Sequence, residues 1–294
     1  MTNQGAGRRG PRLGAHMSIA GGLDQAPLRG REAECDTIQV FTKSNRQWRA
    51  RPLLDAEVSA FRRNLRATGI RPVIAHASYL LNLAAPIAAT WKQSVTAILE
   101  ELRRAEQLGI PYLVTHPGSH AGAGEQDGIA RVAEALNLVH ATLPELHVRV
   151  LLEHTAGQGS GLGYRFEQLA AMLAQIESPQ RVGICLDTCH LFAAGYDIRT
   201  AAGYRQTLRA VQSCVGLRRV RAIHMNDSRQ DLGSRIDRHE HIGKGRLGLA
   251  AFGWFVNDPR LRSIPMIVET PDAGDRLADD RRNVQQLRIL VRRP

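Results

Sequence analysis

Short apolar runs bounded by turn residues alternate along the chain with longer stretches in which apolar residues recur three and four apart, the pattern of parallel βα units. Eight runs read as strands: Leu13 to Met17, Thr37 to Phe41, Pro72 to His76, Tyr112 to His116, Val148 to Glu153, Val182 to Asp187, Val220 to His224 and Pro265 to Glu269. Between them Ala56 to Ala67, Ile87 to Leu108, Gly128 to Leu143, Phe166 to Ile176 and Tyr204 to Val215 carry helical spacing. Eight alternations without a long linker predict an α/β fold closed into one (β/α)8 TIM barrel rather than an open sheet, since closure removes both edges. That domain is expected over 12–294, behind a flexible basic arm over 1–11 that holds Gly5, Gly7, Gly10 and two arginines. Pro27 is expected to interrupt the helix after the first strand, and Thr42 to Pro52 reads as an extended loop.

Six of the eight runs end in a residue that can bind a metal: His76, His116, Glu153, Asp187, His224 and Glu269. Any one of these taken alone reads as an ordinary rim residue. Jointly they mean more, because the strand ends of a parallel barrel converge on one mouth and make neighbours of side chains over a hundred residues apart. Imidazoles and carboxylates crowded at that depth are costly unless cations stand between them. Two local patterns add donors, His190 in Asp187-Thr-Cys-His190 and the pair Asp237 and His239 beyond the seventh run. Mixed imidazole and carboxylate donors suit zinc, with manganese or iron as substitutes, and nine donors suit two or three ions with one carboxylate shared.

Composition narrows the function classes. With 43% hydrophobic and 23% charged residues the chain has material for a large core, and no run of about 18 uncharged apolar residues offers a membrane span, so an intracellular, cytoplasmic protein is expected. Cys35, Cys185, Cys189 and Cys214 are too sparse for a disulfide framework and read as structural thiols. A net charge of +11, carried almost wholly by arginine since only Lys43, Lys92 and Lys244 occur, points to a polyanionic partner. His140 and His147 are expected on or near a helix surface, without a role. The glycine-rich TAGQGSGLGY lacks the Lys-Ser or Lys-Thr of a P-loop and reads as close backbone packing around the metal site, with a phosphate cradle as the lesser reading. Together these features favour metal-assisted hydrolysis or isomerisation over redox chemistry.

The motifs, in order, resemble the zinc-dependent apurinic/apyrimidinic endonucleases of the endonuclease IV type. The likeness runs through GAHMSIAGGL at Gly14, FTKSNRQW at Phe41, HASYLLNL at His76, HPGSH at His116, LEHTAGQGS at Leu152, DTCHLFAAGYD at Asp187, HMNDS at His224, DRHEHIGKGRLG at Asp237 and VETP at Val268. It implies three zinc ions. His76, His116 and Glu153 would hold the first, and Glu153, Asp187, His224 and Glu269 the second, with Glu153 bridging and Glu153 and Glu269 as catalytic carboxylates. His190, Asp237 and His239 would hold the third. It implies in-line hydrolysis of the phosphodiester 5′ to an abasic site in duplex DNA, leaving 3′-hydroxyl and 5′-deoxyribose-phosphate ends in base excision repair. Arg46 and Tyr79 are the implied residues inserted into DNA at the lesion, and a monomer is expected. Asn226, Asp227 and Lys244 are candidate rim or supporting contacts.

Two positions depart from the family pattern: Ala77 where Asp is frequent, and His154 where Asn is frequent. The first bears on the orientation of His76, the second on the Glu153 bridge. Two rival readings stand beside this one. A sugar isomerase or epimerase on the same barrel would leave His190, Asp237 and His239 without a task, and a non-catalytic DNA-binding relative would leave the complete donor set without one.

Overall fold

The computed structural model of the chain describes residues 10–292. The arm expected over 1–11 lies, up to residue 9, outside the described residues. Eight parallel strands close into a barrel: β1 (Leu13–His16), β2 (Thr37–Phe41), β3 (Val73–His76), β4 (Tyr112–Thr115), β5 (Arg149–Glu153), β6 (Val182–Asp187), β7 (Val220–His224) and, after a small ribbon, β10 (Met266–Val268). β1 pairs with both β2 and β10, so no edge is left. All eight expected runs are strands, each within a residue or two of its expected ends.

Helices wrap the outside: α1 (Gln25–Glu32), α2 (Asp55–Thr68), α3 (Ala88–Leu108), α4 (Glu125–Thr142), α5 (Phe166–Ala174), α7 (Ala201–Cys214), α8 (Leu249–Asn257) and α9 (Arg276–Leu290). Pro27 does not interrupt α1. It lies in the first turn, where a missing N–H costs nothing because those donors have no partner within the helix. α2 and α3 both stop at a left-handed glycine, Gly69 (φ 71°) and Gly109 (φ 74°), which turns the chain back toward the next strand.

Three elements were not legible in the apolar pattern. One is α6 (Thr188–Ala193), a short helix launched from the end of β6 when Asp187 Oδ1 accepts from the His190 N–H at 2.9 Å. The others are β8 (Asp227–Ser228) and β9 (His239–Glu240), an antiparallel ribbon standing above the mouth. Each is too short for a period to show. Thr42 to Pro52 is irregular, as expected, yet held down: the Arg104 guanidinium donates to Thr42 O and Arg51 O, and Lys43 pairs with Glu101 at 3.5 Å.

The main core lies between the sheet and its helices. A second, smaller core fills the barrel: Ile74, Val114, Leu151, Cys185, Ala222 and Ile267, all fully buried, one from each of β3, β4, β5, β6, β7 and β10. This plug is the floor on which the polar mouth stands. Among the described residues no helix is long and apolar enough to cross a membrane.

Candidate metal centre

Strand pleating turns residues i and i+2 to the same side. The residues two positions beyond the plug are therefore His76, His116, Glu153, Asp187, His224 and Glu269, and all six meet at the mouth. Glu153 is their hub. Its Oε2 lies 3.2 Å from His76 Nε2 and 3.3 Å from His116 Nε2, while its Oε1 lies 3.0 Å from His224 Nδ1 and 3.3 Å from His190 Nδ1. His224 Nδ1 also stands 3.1 Å from Glu269 Oε2 and 3.8 Å from Asp187 Oδ2.

The remaining three expected donors sit beside these. Asp237 reaches His190 Nε2 with one oxygen at 3.0 Å and His239 Nε2 with the other at 3.2 Å, and His239 Nε2 is 3.7 Å from Asp187 Oδ2. Among the described residues four groups have donor atoms within 4.8 Å of one another and can hold a cation: His76, His116 and Glu153; Glu153, Asp187, His224 and Glu269; Asp187, His190 and His239; and Cys189, Asp237 and His239. The first two are the sets expected for the first and second ions, with Glu153 in both. The third region departs in detail, because Asp187 and the Cys189 sulfur also reach it.

The ring orientations test whether cations fit. His76 Nδ1 donates to Ala77 O at 2.7 Å, His190 Nδ1 to His154 O at 2.8 Å and His239 Nδ1 to Glu269 O at 2.9 Å. A carbonyl only accepts, so each of these nitrogens carries a proton and the opposite nitrogen is the one left to offer a cation its lone pair. Those lone pairs all aim into the cluster. His190 Nε2 and His239 Nε2 are buried without a hydrogen-bond partner. Imidazole nitrogens left unpinned by the backbone and facing carboxylate oxygens at about 3 Å are what a cation site requires.

The carboxylates raise the pKa of His76, His190 and His224 against their burial, and that of His239 to about 9, so a cation entering here displaces protons. Burial alone would raise the Glu153 pKa, but the charges of His224 and His116 and hydrogen bonds from His116 and His190 hold it well below the usual carboxylate range. Glu269 is likewise lowered against its burial, chiefly by the charge of His224. The carboxylates are therefore ionised and ready to bind a cation.

Asn226 is fully buried, donates to Asp187 Oδ2 at 2.6 Å and accepts from the Glu269 N–H at 2.7 Å, which aligns two donors at once. Asp227 accepts from the backbone of Gly243, Gly245 and Leu247, tying the segment after β9 to the ribbon. Lys244 is exposed on that segment and hydrogen-bonds to no donor of the cluster.

The two departures resolve differently. The Ala77 carbonyl orients His76, so no carboxylate is needed there. The His154 ring turns away from the mouth and packs 4.9 Å from Phe166 and 5.5 Å from Tyr196, and burial together with the His190 charge lowers its pKa to about 3, so it stays neutral and leaves the Glu153 hub alone. Only its backbone serves the site.

Cys185 faces inward with Asp187 despite a register shift toward β7, but it belongs to the plug, and burial pushes its thiol up to about 12. His147 is exposed, as expected. His140 is not: it is 6% exposed, with both ring nitrogens unpartnered, because the last turn of α4 is covered by the Arg181 guanidinium, which donates to His140 O and Leu143 O.

Over the mouth, Tyr79 is 59% exposed with its ring 5.4 Å from that of His76 and 6.1 Å from that of His116. Arg46 is exposed at the tip of the neighbouring loop, and Ser78 Oγ donates to Asn45 O at 2.7 Å, stitching the two loops together. A cleft of about 350 Å³ opens beside them, lined among others by Tyr79, His116, Gly157, Gln158, His190 and Asp237. The glycine-rich segment forms its wall. Gly157 O accepts from Arg235 Nε at 2.8 Å and Gln158 Oε1 accepts from the Asp237 N–H at 3.2 Å, so this segment packs against the site and sets the Asp237 loop.

Residues 29–290 match the family model described as xylose isomerase-like TIM barrel. The chain is 52% identical over 281 residues to a probable endonuclease 4 of Chloroflexus aurantiacus, covering 96% of this chain and 98% of that one. A probable endonuclease 4 of Geobacter sulfurreducens is 50% identical over 96% of this chain and 95% of its own length. The chain belongs to the endonuclease IV family. The endonuclease IV structure from Thermus thermophilus superposes with a TM-score of 0.84 at 38% identity, covering 95% of this chain and 98% of that one. A D-tagatose 3-epimerase-like protein shares the endonuclease IV barrel at a TM-score of 0.71 but only 17% identity, a likeness of fold alone.

Proposed function

We propose that this chain is an AP endonuclease that hydrolyses the phosphodiester 5′ to an abasic site in duplex DNA, leaving 3′-hydroxyl and 5′-deoxyribose-phosphate ends, as an intracellular monomer in base excision repair. The observation that carries the reading is the double membership of Glu153, one carboxylate shared by two complete donor groups beneath an open cleft. The cofactor is three zinc ions, with manganese or iron as substitutes: His76, His116 and Glu153 would hold one, Glu153, Asp187, His224 and Glu269 the next, and His190, Asp237 and His239 the last. Zinc bound there supplies Lewis acidity, making water more acidic and neutralising phosphate charge.

The chain's own residues do the rest. Ala77 O, His154 O and Glu269 O fix three imidazoles so that their free nitrogens converge without reorganisation when substrate arrives. The apolar plug closes the floor beneath the donors, and the cleft above them opens beside Tyr79 and Asp237. Tyr79 offers a flat face beside the donors, and Arg46 a guanidinium from the loop stitched to it; both suit the gap left by a missing base.

The test is incision of a duplex carrying one abasic analogue, with and without chelator, together with elemental analysis of the purified chain. Three zinc equivalents and chelator-sensitive incision are expected, and Glu269→Ala is expected to bind the duplex far better than it cuts. Zinc-loaded protein that leaves the duplex intact while epimerising a ketose would overturn the reading.

A further inference from the structure

Gln39 binds no ion in any group described above, yet its carboxamide touches two of the donors, Glu269 and His224. It lies midway along β2, fully buried, and the register that pairs it with His16 and with Ile74 of the plug turns its side chain into the barrel, from where its amide reaches the donors of the mouth. Gln39 Nε2 donates to Glu269 Oε1 at 2.6 Å and contacts His16 Nδ1 at 3.0 Å. Gln39 Oε1 meets His224 Nε2 at 2.8 Å.

These contacts admit one proton arrangement. An ionised Glu269 only accepts, so the amide group facing it is the NH₂. The amide oxygen is then what faces His224, and since that oxygen only accepts, His224 Nε2 must donate. A neutral His224 therefore carries its proton on Nε2 and leaves Nδ1 bare, 3.0 Å from Glu153 Oε1 and 3.1 Å from Glu269 Oε2. Three acceptor atoms face one another across the gap that the second ion would fill. The other amide hydrogen goes to His16 Nδ1, which fixes that ring as well.

We infer that Gln39 is a positioning residue for the second-ion subsite, its carboxamide selecting the His224 tautomer through one atom and aiming Glu269 through the other. This rests on the metal-dependent reading above. No single neighbour could replace it. A carboxylate at this position would accept from His224 but repel Glu269, and an apolar side chain would do neither. The sequence carries one signal for Gln39, an amide set between the apolar Ile38 and Val40 inside a strand run.

The experiment compares wild type, Gln39→Met and Gln39→Glu as zinc-loaded full-length chains, measuring zinc equivalents, zinc release into excess chelator, and kcat and KM on the abasic duplex. Methionine nearly matches glutamine in volume, so Gln39→Met is expected to fold, to release one of three equivalents about 10- to 100-fold faster than wild type, and to lose a similar factor in kcat with KM little changed. Gln39→Glu should also release that equivalent faster, because only the His224 contact survives; it carries the test alone if Gln39→Met fails to fold by circular dichroism. A purely structural role would lower the melting temperature and leave zinc release untouched. A folded Gln39→Met chain, or in its absence a folded Gln39→Glu chain, that holds three zincs with wild-type release kinetics would overturn the assignment of Gln39 while leaving the metal-dependent reading intact. A wild-type chain that retains no zinc would overturn both.

Discussion

Ile74, Val114, Leu151, Cys185, Ala222 and Ile267 make a dry plug inside the barrel, and two residues further along the same six strands stand His76, His116, Glu153, Asp187, His224 and Glu269. Backbone, strand and direction are shared, and only the level differs. The lower level follows the ordinary rule of a core, with each buried aliphatic side chain stabilising by about 1.5–3 kcal/mol. The upper level violates it, since bare imidazole nitrogens and ionised carboxylates are enclosed together and depend on cations for compensation. The contrast teaches that stability is gained below the site and given up at it: a rigid apolar floor lets the layer above be arranged for chemistry.

That comparison can be broken by truncating one residue in each layer of the same strand. Glu153→Ala removes the shared carboxylate from two donor groups, so zinc content should drop by more than one equivalent and incision by on the order of 10³-fold or more. Leu151→Ala, two residues earlier, should cost about 2–5 kcal/mol in denaturant unfolding and keep the zinc stoichiometry. Metal analysis beside urea titration separates the two. If Leu151→Ala strips the metals while Glu153→Ala keeps them, the division of labour between the layers is wrong.

The same division explains what was legible in the sequence. Strand-end donors stand out because a polar residue closing an apolar run is anomalous, and topology then brings six such residues together without any knowledge of side-chain packing. His190, Asp237 and His239 were visible as local patterns, but the short helix and ribbon that carry them were not, since an element of two to six residues has no period to read. Gln39 and Asn226 act through hydrogen bonds across the barrel, and no spacing within the chain encodes those. His140 went astray for a different cause. Helical spacing puts it near the surface, and the Arg181 side chain, arriving from the turn before β6, closes over the end of its helix.

A smaller effect, away from both layers, follows from His140 and gauges how much acid lability belongs to the mouth. Burial, and then the Arg181 charge, lower its pKa to about 4. The folded value is depressed below the ordinary value near 6.5, so the unfolded chain binds the proton more readily. Its stabilising contribution is therefore fully present above pH 6.5 and lost as pH falls through 4, by at most about 3 kcal/mol. His140→Leu should gain on wild type by up to that amount between pH 7 and pH 4 in chemical denaturation. A stability difference that stays level over this range would show that the acid response lies elsewhere, among the depressed carboxylates of the mouth.

The smallest expected effect sharpens the comparison from above, where two loops overhang the upper layer. The Arg46 side chain makes no hydrogen bond or ion pair among the described residues, so its removal should cost the fold almost nothing. Its backbone is nonetheless held in place through the neighbouring Asn45 carbonyl and Ser78. A fixed backbone bearing a free guanidinium suits a phosphate or base contact made only when DNA arrives. Arg46→Ala should weaken binding of an abasic duplex several-fold and lower the slope of log affinity against log salt by about 1, with unchanged zinc content and melting temperature. An unchanged slope would mean that Arg46 meets no phosphate. An unchanged affinity for abasic and intact duplex alike would remove this loop from DNA recognition and leave Tyr79 as the residue to fill the gap.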